Sequence, residues 1–272
     1  MFESVSIDKV RGYWNSRPCN IRHSPKEVGT KEYFDEVAVR KYTVEPHIPA
    51  FAEFSKWKGK KILEIGSGIG TDTISFAKAG AWVTAVDLSE ESLKLAKKRA
   101  EVYGCDIKFY QANCEELSKT VPVEEYDLVY SFGVIHHTPH PERAVEELKK
   151  YLKPGGTLKL MVYHRWSYKV LWILFRYGYG QFWKLDKLVA KYSEAQTGCP
   201  VTYSYSKRTV RKLLKGFKVL KATPEHIFPY RIPEYKNYQY KLAFPFNLIP
   251  TWFFHWLEKR IGWHLCVLAE RI

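Results

Sequence analysis

The stretch Lys61-Ile62-Leu63-Glu64-Ile65-Gly66-Ser67-Gly68-Ile69-Gly70, with Asp87 closing the next apolar run, limits what this chain can fold into more than any other feature. An apolar run that breaks into closely spaced glycines predicts a buried strand turning tightly into a helix. The second run, 82–87, predicts a neighbouring strand that ends in a carboxylate. Glycine lets backbone approach a ligand where a Cβ would collide. An acid about 20 residues downstream is placed to accept the hydroxyls of a ribose. The spacing is G-x-G-x-G, and Glu64 sits inside the strand just before the turn. An extra acid is a poor neighbour for a pyrophosphate and a good one for a cation or an ammonium.

The runs that follow keep alternating. Strands are expected at 62–65, 82–87, 107–111, 128–131 and 157–163, and helices at 71–79, 90–103 and 141–152. Ser89 and Gly104 are set to cap the 90–103 helix, and Pro141 stands at the first turn of the next one. Such alternation predicts an α/β fold with a doubly wound, Rossmann-like sheet of seven strands. The remaining pieces are a helix at 206–214 and strands at 218–222 and 264–269. Two stretches are left over, about 164–205 and 224–262, both rich in Tyr, Trp, Arg and Lys. They leave the sheet at the rim where ligands gather, so they are read as a substrate lid; a homodimerising flap is the alternative. Residues 1–60 form an N-terminal cap, and 61–272 the main domain. Within the cap, helices are expected at 10–14, 31–40 and 49–57, and 11–24 reads as irregular and outside the core.

Five blocks resemble class I S-adenosylmethionine-dependent methyltransferases, in the right order: L-E-I-G-S-G-I-G, A-V-D-L-S, Q-A-N-C-E-E-L, Y-D-L-V-Y-S-F-G-V-I-H-H-T-P and L-K-P-G-G-T-L. They cover roughly the central hundred residues and look most like the small-molecule branch. The resemblance implies S-adenosylmethionine as cofactor and S-adenosylhomocysteine as product. It implies that Glu64 and the backbone of Gly66, Ser67, Gly68 and Gly70 line the methionyl part, with Thr71 and Asp72 opening the helix beside it. Asp87 would bind the ribose and Leu88 pack on the adenine. Asn113 stands where the family usually has Asp at the adenine amino group, and its carbonyl oxygen can accept the same bond. Cys114 would offer its backbone N–H, and Ser131 and Gly133 their backbone near the methionyl amine.

Charge is unevenly placed. Residues 1–150 hold 22 Lys and Arg against 23 Asp and Glu, whereas 151–272 hold 21 against 6, with 26 of the 43 aromatic residues. A neutral cofactor half and a basic, aromatic acceptor half suit an anionic or aromatic small molecule, an acidic membrane surface or nucleic acid. RNA is the rival substrate. It is disfavoured because no RNA-binding module is recognisable, and Ser131-Phe132-Gly133-Val134 replaces an Asn/Asp-Pro-Pro-Tyr-like base-methylating motif. Peripheral contact with a lipid surface is a second rival, with the amphipathic stretch 252–260 as its element, although core burial or a subunit interface is the preferred reading of that stretch. Five cysteines without a C-x-x-C pair, and no basic, apolar leader, suggest a cytoplasmic protein.

On the acceptor side, His136 is read as a base or wall near the reacting methyl. Tyr13, Arg17 and Tyr203 are the partners expected to orient the acceptor. Asn15, Arg22, His23, Tyr33, Tyr163, His164, Arg165, Tyr205, Tyr230 and Arg231 are further candidates. No metal is expected, since Pro139 breaks any helical pairing of His136, His137 and His140.

Overall fold

A computed structural model describes residues 2–194 and 198–272. In chain order the elements are α1 (Ile7–Ser16), α2 (Lys31–Val44), α3 (His47–Ala52), β1 (Lys61–Ile65), α4 (Thr71–Lys78), β2 (Trp82–Asp87), α5 (Glu90–Tyr103), β3 (Lys108–Gln111) and β4 (Tyr126–Phe132). They continue with α6 (Pro141–Tyr151), β5 (Leu152–Tyr163), α7 (Tyr168–Gly178), α8 (Leu185–Tyr192), α9 (Lys207–Leu213), β6 (Phe217–Glu225), α10 (Ile232–Lys236), α11 (Thr251–Ile261) and β7 (His264–Arg271). The strands form one sheet in the order β3-β2-β1-β4-β5-β7-β6, with β7 antiparallel to both neighbours and the other adjacent pairs, β1 with β2 and β4, β2 with β3 and β4 with β5, parallel.

Strand order reverses between β1 and β4, which opens a crevice beyond their carboxyl ends. The reversed β7 starts at that same rim: His264 pairs with Tyr163 at the end of β5 and with Glu225 at the end of β6. The inner strands read as near-continuous apolar runs because helices cover both faces; Ile62, Leu63, Leu128, Val129, Leu158, Leu160 and Val162 are all fully buried. Helix α5 begins on Ser89, whose side chain accepts from Ser92 N–H, and ends on Gly104 at φ 62°.

The cap is fastened to the sheet by two buried cations. Arg99 of α5 donates to Phe34 O (2.8 Å) and Thr71 Oγ1 (2.6 Å), tying α2 to the glycine turn. Lys159, in the middle of β5, donates to Phe51 O (2.6 Å) and Ala52 O (3.1 Å) and pairs with Glu53, closing the end of α3. Two expectations for the cap need correction. Residues 11–16 are helical, continuing α1, and Cys19, Asn20 and His23 face the interior cavity. Tyr33 is fully buried among Phe34, Val37 and Ile69, its hydroxyl donating to Ile21 O (2.8 Å), so it belongs to the core.

The stretch 164–205 supplies α7 and α8, and 224–262 supplies α10 and α11. Arg40 of α2 reaches α10: its guanidinium lies 4.2 Å from the ring centres of both Tyr235 and Tyr238 and donates to Tyr235 O (2.6 Å). Among the described residues no helix is long and apolar enough to cross a membrane.

Candidate active site

A cavity of about 910 Å³ occupies the crevice, roofed by the cap and by the elements around α7 and α10. One end is built by the loop after β1. Gly66, Gly68 and Gly70 all take positive φ. A Cβ on Gly66 would fall 2.0 Å from Val134 Cγ2, so only glycine lets the turn close against the end of β4. Gly66, Ser67, Gly68, Thr71, Asp87, Leu88, Asn113, Cys114 and Gly133 all line the cavity.

Asp87 ends β2 with each oxygen already accepting one backbone N–H, Oδ2 from Gly68 and Oδ1 from Ser89, both at 2.8 Å. Burial pushes its carboxyl up, while the Ser89, Gly68 and Leu88 N–H groups pull it back. A carboxylate held this way keeps lone pairs for two further donors. Ser67 Oγ is buried without a protein partner, on the same wall. Asn113 Oδ1 accepts from Glu115 N (3.1 Å) and caps the turn that presents Cys114 to the cavity. A backbone cradle, an acid beside it and an orphaned hydroxyl are what a nucleoside with an amino-acid tail requires.

Other expected residues lie off the cavity. Glu64 is behind the cradle, accepting from Thr73 Oγ1 (2.5 Å); burial and the nearby Asp72 push its carboxyl up to about 8. Asp72 is buried in a network with Lys41 Nζ (2.8 Å), Tyr42 OH (3.0 Å) and Tyr130 OH (3.1 Å). Gly70 is placed for packing, since a Cβ there would sit 3.2 Å from Ala96. Ser131 is fully buried.

The acceptor-side residues need the larger correction. His136 is fully buried with neither ring nitrogen bonded to a described residue, its ring wedged between those of His137 (4.1 Å) and Tyr163 (3.9 Å). Its neighbour His137 faces the cavity instead, because the short helical turn at Ile135–His137 turns consecutive side chains to different sides. Tyr203 packs edge-on against Phe2 and donates to Pro139 O (3.2 Å). Tyr13 lies edge-on to Trp14, and it is Trp14 that reaches the cavity. Arg17 is not on the lining, and Arg165 and Arg231 are taken by Asp186 and Glu234. Of the remaining candidates, His23, Tyr163 and Tyr230 line the cavity; Asn15, Arg22, His164 and Tyr205 do not.

Residues not singled out from the sequence make up most of this end. Glu194 accepts from Tyr163 OH (2.6 Å) and lies 3.8 Å from His137 Nε2. Burial works against a charge on His137, but the Cys199 sulfur 3.5 Å from Nδ1 and the Glu194 carboxylate outweigh it and raise the imidazole. Tyr168, Trp172, Phe228 and Trp263 add aromatic wall, and Glu45, Lys169, His226 and His264 complete it. These positions are scattered along the chain and no local pattern announces them.

This sheet order with a glycine cradle and an acid closing β2 defines the class I S-adenosylmethionine-dependent methyltransferase fold. Residues 62–156 match the family model described as Methyltransferase domain, and that segment is a methyltransferase domain of this class. A ubiquinone biosynthesis O-methyltransferase from Actinobacillus pleuropneumoniae is 34% identical over 103 residues, 37% of this chain and 44% of that protein. One from Coxiella burnetii is 35% identical over 101 residues, 37% and 42% of the two chains. The chain thus spans less than half the length of the curated relatives it matches. Magnesium protoporphyrin IX methyltransferase from Synechocystis, solved with bound SAH, superposes with a TM-score of 0.61 at 18% identity, covering 98% of this chain and 100% of that one. The [4+2]-cyclase SpnF superposes at 0.56 with 15% identity, covering 97% and 93%. The fold is common to these proteins while their named reactions differ.

Proposed function

We propose that this protein transfers the methyl group of S-adenosylmethionine to an oxygen or nitrogen of a small molecule with an aromatic or anionic body. The observation that carries the reading is one continuous cavity, running from Asp87 and Asn113 at one end to Tyr163, Trp172 and Trp263 at the other. S-adenosylmethionine, when bound, supplies a methyl already activated by its positively charged sulfur. The chain has then to hold the acceptor in line, exclude water and manage one proton. Gly66, Ser67 and Gly68 would hold the methionyl part and Asp87 the ribose. Phe132, Gly133 and Met161, at the ends of β4 and β5, stand between the two ends of the cavity. Tyr163, tied to Glu194, and His137 are the groups near that junction able to orient an acceptor. Aromatic walls favour a planar, apolar acceptor body. The name of the curated relatives points the same way, toward a small molecule and an oxygen.

A lipid-surface form of this reading has a specific observation behind it. Trp172 and Phe244 line the cavity and are also exposed, and Phe175 (69%), Tyr179 (83%), Trp183 (65%) and Trp252 (71%), from the same two insertions, leave large apolar surface in water. An acceptor carried in a bilayer would enter by that mouth.

Calorimetry with S-adenosylhomocysteine tests the donor end. The wild type should bind it, and Asp87→Ala should weaken binding about 100-fold, the loss of two charge-assisted hydrogen bonds. Wild-type affinity in the variant, at an unchanged melting temperature, sinks the assignment.

A further inference from the structure

Three side chains with metal-binding chemistry converge on the acceptor-side wall from distant parts of the chain. Glu45 closes the end of α2, His226 follows β6, and His264 opens β7. One ligand atom from each lies within 4.8 Å of the others, and all three residues line the cavity. The antiparallel pairing brings two of them together, since Glu225 stands opposite His264 and His226 is the next residue. His226 has φ 67°, an uncommon conformation for a side chain of this size, and Trp263 N–H holds it by donating to His226 O (2.8 Å).

The polar groups here are under-used. The Glu45 carboxylate makes no hydrogen bond to a described residue, and His264 Nδ1 lies 3.7 Å from it. Neither ring nitrogen of His226 is hydrogen-bonded to a described residue. Lys41, which could have neutralised Glu45, is bound to Asp72 (2.8 Å), and Lys169 sits over the Trp263 ring (4.7 Å). A half-buried acid and the buried His226 imidazole left this way lack a partner among the described residues.

We propose that Glu45, His226 and His264 form a binding site for a divalent transition metal, with an open position facing the cavity. Two imidazoles and one carboxylate form a donor set suited to zinc, cobalt or iron(II). Tetrahedral ligands with bonds near 2.0–2.1 Å stand roughly 3.3 Å apart, so a modest contraction closes the group on an ion. His47 Nε2, 3.0 Å from His264 Nδ1, is placed as the outer partner that fixes the His264 ring. The site does not depend on the function proposed above; its use does. Under that reading the ion holds a lone pair of the acceptor in the chamber opposite the donor end.

The test is titration of the full chain, freed of any histidine tag and stripped with chelator, with Zn²⁺ by calorimetry and Co²⁺ by visible absorption. One equivalent should bind at micromolar dissociation constant or tighter, with visible Co²⁺ bands of a protein-ligated ion. His226→Ala, His264→Ala and Glu45→Gln should each weaken binding about 100-fold, and His47→Ala about 10-fold. S-adenosylhomocysteine affinity, measured on the same samples, reports that the variants are folded. Wild type that takes up neither ion, or a triple variant that binds like wild type, overturns the site. Metal binding without any affinity for S-adenosylhomocysteine leaves the site standing and removes the methyltransferase reading instead.

Discussion

Glu64 places an acid inside β1 with one hydroxyl, that of Thr73, as its hydrogen-bond partner. Burial first, and Asp72 second, raise its carboxyl to about 8 in the folded chain. A folded value above the unfolded one gives a contribution that is complete at acidic pH and lost as pH rises through the folded value. Urea unfolding of the ligand-free protein should therefore show this contribution falling by about 1–3 kcal/mol between pH 5 and 8. Glu64→Gln should flatten that slope; an unchanged slope would count against a raised carboxyl. The histidine pair offers a sharper contrast. Among the described residues His136 has no hydrogen-bond partner for either nitrogen, so His136→Leu removes no satisfied bond and should change stability by less than about 1 kcal/mol. His137→Gln should instead slow methyl transfer about 100-fold with S-adenosylhomocysteine affinity kept. Activity assays that rank the two the other way would restore His136 to the site. At this scale the glycine-cradle end of the cavity was legible, because Gly66, Gly68 and Asp87 lie within one turn and one strand. His136 and His137 were not separable, since which of two adjacent side chains faces a cavity depends on the local turn at Ile135–His137.

Elements were legible wherever capping and periodicity agreed. Strand β2 and helix α5 fall at 82–87 and 90–103 as read, and α4, α6 and β3 differ from the reading by one residue at one end. Longer departures are tertiary in origin. Helix α2 runs on past residue 40 to Val44, where Lys41 and Tyr42 bond Asp72 and Val44 is buried. Strand β6 extends to Glu225 because β7 offers it partners along its length. The Arg40 contact also joins the cap to the second leftover stretch, so it is the clasp over the cavity. Arg40→Leu should cost about 1–3 kcal/mol of stability in urea unfolding and speed proteolysis within 231–248. Equal cleavage rates in both proteins would mean the clasp does not hold that segment.

Across the whole molecule, the imbalance between a neutral half and a basic, aromatic half becomes spatial. Basic residues such as Arg176, Lys184, Lys187, Lys259 and Arg260 share elements with, or flank, the exposed rings of α7 and α11. An amphipathic surface of that composition should sediment with vesicles containing phosphatidylglycerol and remain in solution with phosphatidylcholine alone. Replacing Trp183 and Trp252 with Glu should abolish the difference, whereas indifference of the wild type to either vesicle would leave a water-borne acceptor as the reading. The composition made a basic, aromatic half legible, but not that its aromatic residues divide between the cavity wall and the exterior. That division is set by how two separate insertions fold around one opening. A related asymmetry runs through the interior. Most of the proposed donor end lies in one continuous piece of chain, Gly66 to Cys114, while the opposite chamber is assembled from at least four pieces that meet only after folding. Exchanging a segment such as 224–262 for that of another protein would therefore retune the acceptor chamber while leaving the Gly66–Cys114 end of the cavity untouched.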